Sequence, residues 1–278
     1  EPGTLYIVGT PIGNLSDLSP RAQAILKNVS LIACEDTRRS GQLLKNIQSK
    51  VPMISYHNFN FKSRLKQLLE ILKQKQSIAL ISDAGMPVIS DPGQELVLSA
   101  KINKHQIICI PGPCAATTAL VTSGLESKRF CYEGFLPKKR GDRNKRLIDI
   151  SREERTTIIY ESPHQLINLL KELSIHCGNK RPIQISRELT KRYEESIGST
   201  IEEVLIYFQD NLPKGEFTIV LGGNSENNKK ISEADAIKKV KHLVNNGRSS
   251  KDATQQISQE TGYSKKWLYS KLHSKVDK

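Results

Sequence analysis

IALISDAGMPVISDPG, Ile78 to Gly93, is four apolar strand formers running straight into a loop that holds Gly85, Pro87, Pro92 and Gly93 together with Asp83 and Asp91. A short apolar run bounded by turn residues reads as a strand buried on both faces, as in a parallel sheet. Such a strand leaves backbone amides and carbonyls free at its carboxyl end, where open α/β folds bind small molecules. The stretch Ser82 to Gly93 is longer than the usual loop of about two to six residues between a strand and its helix, and loops of that kind are more often functional than plain connections.

Outward from this loop the same alternation repeats. LYIVG precedes SPRAQAILKN, LIACE precedes RSGQLLKN, MISY precedes SRLKQLLEILK, IALIS precedes QELVLSA, and QIICI precedes AATTALVTS. Strands alternating with amphipathic helices predict a parallel sheet flanked by helices over residues 1–124. Ser19-Pro20 supplies an N-cap and a first helical position, and Ser63 is expected to open the third helix. From Gly124 to Arg143 the sequence is basic and rich in turns. RFCYEG, TTIIYE, PIQIS and FTIVLGG then predict a second α/β domain over 125–224, with helices near Arg143 to Ser151, Pro163 to Leu173 and Thr200 to Phe208. NSENNKK reads as a polar linker. Residues 231–278 have a helical pattern around Gly262-Tyr263, with Ser258 four residues before the glycine, which is the spacing of a helix-turn-helix. Trp267 and Tyr269 are expected to fill the core of this small unit rather than to stack on bases.

The chain has 278 residues, with 42 Lys and Arg against 29 Asp and Glu, a net charge of +13. That excess attracts phosphate-rich partners. It is concentrated in KKRGDRNKR, Lys138 to Arg146, and in the tail from Lys229 onward. A solvated basic face and a nucleic-acid contact are both open readings of these clusters. Five cysteines without a CxxC spacing suggest neither a disulfide framework nor a zinc site. No apolar run reaches the ~18 residues of a membrane helix, and no secretory segment opens the chain. A cytoplasmic protein with no membrane association is expected.

TLYIVGTPIGNL, Thr4 to Leu15, is a strand and a tight turn that lacks both the GK[ST] ending of a P-loop and a GxGxxG pattern. CEDTRR, Cys34 to Arg39, follows the second strand at the same carboxyl edge. Glu35, Asp36 and Arg38 can orient a substrate hydroxyl or phosphate there, or Asp36 can simply cap the next helix. His57 lies beyond the third strand, as a base or as a structural histidine. After Pro111-Gly112-Pro113, small residues from Cys114 let a ligand lie against a helix N-terminus. Four loops thus converge on one edge. HExxH, GxSxG and paired metal-ligand spacings are absent, so no metal is expected.

GTPIGNL, EDTR, SDAGMPVISDPG, PGP with Ala115, GFLPKK, YESPH, RELTK and KGEF together resemble the ribosomal RNA small subunit methyltransferase I family over Thr4 to Gly222. That family is similar in fold to the tetrapyrrole (precorrin) methylases, which have two α/β domains with the cofactor in the cleft between them. The resemblance implies S-adenosylmethionine as cofactor, 2′-O-methylation of a cytidine in the decoding region of 16S rRNA within the small ribosomal subunit, and a homodimer. Carried over by position, it implies cofactor contacts from Pro11, from Asp83, Ala84, Gly85, Pro87, Val88, Ile89 and Ser90, and from Ala115 in the first domain. Tyr160, Leu189, Lys214, Gly215 and Glu216 would close over the cofactor from the second. Cys114 replaces the family's usual serine, and Gln165 its usual arginine.

Methyl transfer needs the 2′-oxygen in line with the methyl group, and a base or cation near the hydroxyl assists it. Glu35, Asp36, Arg38, His57, Glu188 and Lys191 are the candidates. Two other readings stand beside this one: a small-molecule tetrapyrrole methylase, and a nucleic-acid-binding regulator whose α/β part senses a ligand.

Overall fold

The computed structural model describes residues 3–224, 233–245, 247–261 and 263–273. The five βα units follow in order: β1 (Thr4–Val8), α1 (Pro20–Asn28), β2 (Leu31–Cys34), α2 (Thr37–Asn46), β3 (Met53–Ser55), α3 (Phe61–Lys73), β4 (Ile78–Ile81), α4 (Gln94–Ile102), β5 (Gln106–Ile110) and α5 (Ala115–Thr122). Every strand pair in this sheet is parallel, and the order is β3-β2-β4-β1-β5. Ser19 caps α1 through the Ala22 amide, with Pro20 behind it. The third helix begins at Phe61, ahead of the expected Ser63. Asn60 precedes it without capping, because its side chain is held by Ser55 and the His57 amide.

Strand side chains alternate between faces. Leu5, Ile7, Ile78 and Leu80 pack with Leu68, Leu72 and Leu96 of α3 and α4, whereas Val8, Ala79 and Ile81 pack with Leu26 and Leu44 of α1 and α2. The connections leaving the neighbouring strands β1 and β4 therefore run to opposite faces. Their loops part at the carboxyl edge, which is where a doubly wound sheet opens a crevice.

The second half contains β6 (Phe130–Phe135), α6 (Arg140–Arg152), β7 (Thr156–Glu161), α7 (Pro163–Cys177), β8 (Ile183–Arg187), β9 (Glu195–Ile197), α8 (Ile201–Asp210) and β10 (Phe217–Leu221). Its sheet, ordered β6-β7-β10-β8-β9, is mixed: β6 and β7 are parallel and the other pairs antiparallel. The short edge strand β9 has no sequence signal, since two of its three residues are polar. Leu147, Leu166, Leu170 and Val204 of α6, α7 and α8 cover one face of this sheet. The other face receives Ala116, Ala119 and Leu120 of α5 against Ile158 and Val220. One helix of the first half thus completes the core of the second, and the two sheets form one compact unit, Glu1–Gly223.

Asn224–Lys278 is a separate unit. Its helices α9 (Glu233–Asn245), α10 (Ser250–Thr261) and α11 (Lys265–His273) close around Ala236, Val240, Ala253, Ile257 and Leu268. Tyr269 is an exception to the expected core role, being 46% exposed, because Leu268 takes the inward position one residue earlier. Trp267 is half-buried and stacks on Tyr263 with ring centroids 4.9 Å apart. Gly262 and most of the NSENNKK linker lie outside the described residues. Among the described residues, no helix is long and apolar enough to cross a membrane.

Candidate active site

The loops after β1 and β4 pin each other by a two-residue antiparallel bridge: the Thr10 amide donates to the Gly85 carbonyl at 2.9 Å, and the Gly85 amide returns to Thr10 at 3.1 Å. The loops after β1 and β5 meet even more closely, since a Cβ on Gly112 would lie 2.8 Å from the Gly9 backbone. Between these loops and the ends of β7 and β10 lies a cleft of about 470 Å³, within the range of small-molecule sites.

Four of the seven described non-glycine residues with positive φ lie in the loops around this cleft. Val88 and Ser90 have φ of +75° and +63°, and Glu188 and Thr190 have +52° and +66°. Positive φ is unfavourable for any side chain and worst for a β-branched one, so such residues persist only where surrounding structure holds them. Ser90 is held by a 2.6 Å hydrogen bond between its hydroxyl and that of Tyr132 on β6, which joins the long loop to the second sheet. The Tyr160 hydroxyl accepts from the Ala116 amide at the start of α5, at 3.0 Å. Burial, with Tyr132 and Cys114 alongside, pushes this phenol well above its ordinary range, so it stays protonated.

Of the residues singled out from sequence, Glu35, Asp83, Ala84, Gly85, Ile89, Ser90, Ala115, Tyr160, Gly215 and Glu216 line the cleft. Leu189 borders a small recess beside it, together with Ala115 and Thr218. Pro11, Pro87, Val88 and Lys214 shape the loops without lining the cleft, and the Lys214 carbonyl accepts from Arg187 at 2.7 Å. Asp36 caps α2 through the Arg38 amide and grips the Arg38 guanidinium at 2.8 Å, which holds its carboxyl down to about 2. Glu188 and Lys191 are 2.9 Å apart and Lys191 also reaches Glu216, a clasp that fixes the turns after β8 and before β10. His57 stands outside the lining as an electrostatic neighbour of Glu35.

Sequence reading missed Ile12, Arg39, Asp91, Phe135, Ser162 and Thr218, all of which line the cleft. Asp91 sits in the opening stretch, Phe135 in GFLPKK and Ser162 in YESPH, so their motifs were legible but their direction was not.

The wall is acidic. Glu35, Asp83, Asp91, Glu161 and Glu216 line it with one basic residue, Arg39, 3.6 Å from Asp83, while Arg143 and Lys191 pair with Glu161 and Glu216 from outside the lining. Burial first, then the charge of Asp83, raises the Glu35 carboxyl, with His57 and Arg39 opposing. Burial likewise lifts Asp91 to about 6 against the help of Ser82, and Glu35 and Asp83 add to the rise. An unfolded aspartate titrates near about 3.9, so folding favours the acid form of Asp91. This contribution is fully present below about pH 4 and is lost as pH rises through 6. Ligand-free Asp91→Asn is therefore expected to exceed the parent in stability by about 1–2 kcal/mol above pH 7, allowing for partial solvent access, and to match it near pH 4. Thermal melts at pH 4 and pH 8 check this, and an equal gain at both would refute it. Among the described residues, no group of three His, Cys, Asp or Glu side chains is arranged to hold a metal ion.

Residues 4–205 match the family model Tetrapyrrole (Corrin/Porphyrin) Methylases. Among solved structures, a uroporphyrin-III C-methyltransferase from Thermus thermophilus complexed with S-adenyl homocysteine is similar at 18% identity and a TM-score of 0.57, covering 79% of this chain and 97% of that one. A cobalt precorrin-4 methyltransferase of cobalamin biosynthesis is similar at 16% identity and a TM-score of 0.59, covering 79% and 94%. Curated relatives are much nearer in sequence. Ribosomal RNA small subunit methyltransferase I of Synechocystis sp. is 43% identical, with 96% of each chain covered. The protein of that name from Thermotoga maritima is 41% identical over 80% of this chain and 99% of its own length. With an acidic crevice at the edge of a doubly wound sheet and relatives this similar over nearly its whole length, the chain belongs to the ribosomal RNA small subunit methyltransferase I family, within the tetrapyrrole methylases.

Proposed function

We propose that the chain transfers the methyl group of S-adenosylmethionine to the ribose 2′-oxygen of a cytidine in the decoding region of 16S rRNA, acting in the cytoplasm as a homodimer on the small ribosomal subunit. One observation carries this reading: a protein of net charge +13 reserves a cleft lined by Glu35, Asp83, Asp91 and Glu216. Such a wall favours a cationic ligand, while the basic exterior favours a polyanion.

The volume and charge of the cleft fit S-adenosylmethionine, which supplies an electrophilic methyl group on a sulfonium when bound. Asp83 to Ser90, Ala115, Tyr160 and Gly215-Glu216 would hold it. The strained loop and the Tyr160 bond to α5 pre-organise these contacts, so little ordering remains to be done on binding. Glu35 is the best placed of the acid–base candidates to take the proton of the 2′-hydroxyl. It lines the cleft and its carboxyl is raised toward the working pH, where a general base is most effective. Asp36 is held ionised by Arg38 and is a poor base. Titration calorimetry with S-adenosylmethionine tests the cofactor, and absence of binding would remove the proposal. Methyl incorporation into small subunits, compared with free rRNA and with a precorrin, tests the substrate.

The tail supplies a second test. The Thermotoga relative matches 80% of this chain with 99% of its own length, about what the α/β unit alone would supply, which supports chemistry residing in that unit. Deleting Ile231 to Lys278 removes a strongly basic segment. RNA affinity is expected to fall at least ~10-fold and the slope of log K against log salt to shrink by about 2, with cofactor affinity unchanged. RNA titrations at several salt concentrations measure this, and undiminished RNA affinity would show that the tail is no RNA contact.

A further inference from the structure

We propose that Phe59 is a stacking platform for an unpaired RNA base, and that the loop from His57 to Phe61 guides single-stranded RNA to the cleft mouth; this rests on the rRNA reading above. Phe59 is 97% exposed. A phenyl ring left in water forgoes the burial that draws phenylalanine into cores, and nothing in the fold requires it there.

Hydrogen bonds brace the loop that carries it. The Asn60 side chain accepts from the His57 amide at 2.9 Å and donates to Ser55, and the Phe59 amide donates to the His57 ring at 3.3 Å. With the backbone braced, only the ring's own rotation is left to order when a base stacks on it.

Its position is set by the sheet. β3 is the edge neighbour of β2, and the Tyr56 amide donates to the Cys34 carbonyl at 2.7 Å, one residue before Glu35 of the cleft wall. The ring of His57 lies 6.0 Å from that of Phe59 and is also an electrostatic neighbour of Glu35. Exposed cations stand on the helices that follow β2 and β3, two of them paired with Asp36 and Asp83. Arg38 and Arg39, 88% and 70% exposed, come from α2, and exposed Lys62 and Lys66 come from α3. An aromatic ring among cations suits single-stranded nucleic acid, whose bases stack while its phosphates pair. Of the RNA, the target ribose alone would then enter the acidic interior beside the cofactor.

The test compares wild type with F59A, F59L and F59W in three measurements. These are fluorescence anisotropy with a labelled ten-nucleotide oligoadenylate RNA, steady-state methylation of small subunits lacking the modification, and sedimentation equilibrium. For F59A, the oligoadenylate Kd and the KM for subunits are expected to rise roughly 5- to 150-fold, the range that loss of one base stack gives. The kcat and the S-adenosylmethionine Kd should stay within about two-fold, since the residue touches neither reacting atoms nor cleft. F59W should restore binding, and F59L should not. Unchanged Kd and KM in F59A overturn the proposal, as does equal rescue by F59L. A drop in sedimentation mass for F59A also overturns it, by assigning the ring to a second copy of the chain. A wild-type chain that binds oligoadenylate through Phe59 yet methylates no subunit would support the platform and sink the functional reading.

Discussion

A Glu35→Gln variant is expected to lose at least about 100-fold in kcat for methyl transfer, the lower end of what a positioned general base contributes. Glutamine keeps the shape and polarity of the side chain but cannot accept the proton of a ribose hydroxyl. Glu35 is chosen by environment and not by motif alone. It lines the cleft, burial and Asp83 raise its carboxyl above the ordinary range, and His57 and Arg39 restrain that rise. The wild-type rate should therefore climb with pH through a limb lying above the usual carboxylate range, and E35Q should lack that limb. Cofactor affinity should fall only a few-fold, because Asp83, Asp91 and Glu216 still face the cleft. Steady-state kinetics across pH, paired with calorimetry, make the comparison. Wild-type kcat in E35Q, or the same loss in a His57→Gln variant with an intact Glu35, would move the base elsewhere.

Gly112→Ala is expected to cost about 3 kcal/mol of stability, the upper part of the range for overpacking, and to lower S-adenosylmethionine affinity by at least ~10-fold, because about 1.4 kcal/mol of displacement at the cleft floor suffices. The added methyl would lie 2.8 Å from the Cα and carbonyl carbon of Gly9, and a Cβ on Gly9 would in turn lie 2.7 Å from the Gly112 Cα. Backbone meets backbone here, so no side chain can rotate away and the two loops must separate. They are the loops that carry Ile12 and Ala115 into the cleft. Gly141→Ala provides the control: nothing lies within 4 Å of its added carbon, and it sits in α6, where alanine favours the helix. Urea unfolding and calorimetry on both variants decide the matter. A G112A protein as stable and as tight-binding as its parent would show that the loops can part without consequence.

The legible part of this protein was what near neighbours in the chain encode. Apolar runs, N-caps and turn residues within a few positions predicted the βα units, the carboxyl-edge loops and the tail helices, and the clustered motifs carried the family resemblance. The sign of charge in the cleft was less accessible. Asp36 and Glu35 are adjacent in sequence, yet one turns to Arg38 in solvent and the other faces a ligand site.

By itself, then, the sequence determined the five βα units of the first half, the strands of the second apart from β9, the basic helical tail and the turn-rich loops at the strand ends, because hydrophobic period and turn chemistry are local properties. Only the tertiary structure decided which of those loops' side chains share one space. The Asp36 amide meets Asp83, 47 residues away, because β4 was laid beside β2; α5 closes the second sheet; Ser90 is tied to Tyr132 across the cleft. Those contacts depend on strand order and on which face each helix covers. Both are settled by global packing, and the pKa shifts of Glu35 and Asp91 follow from it.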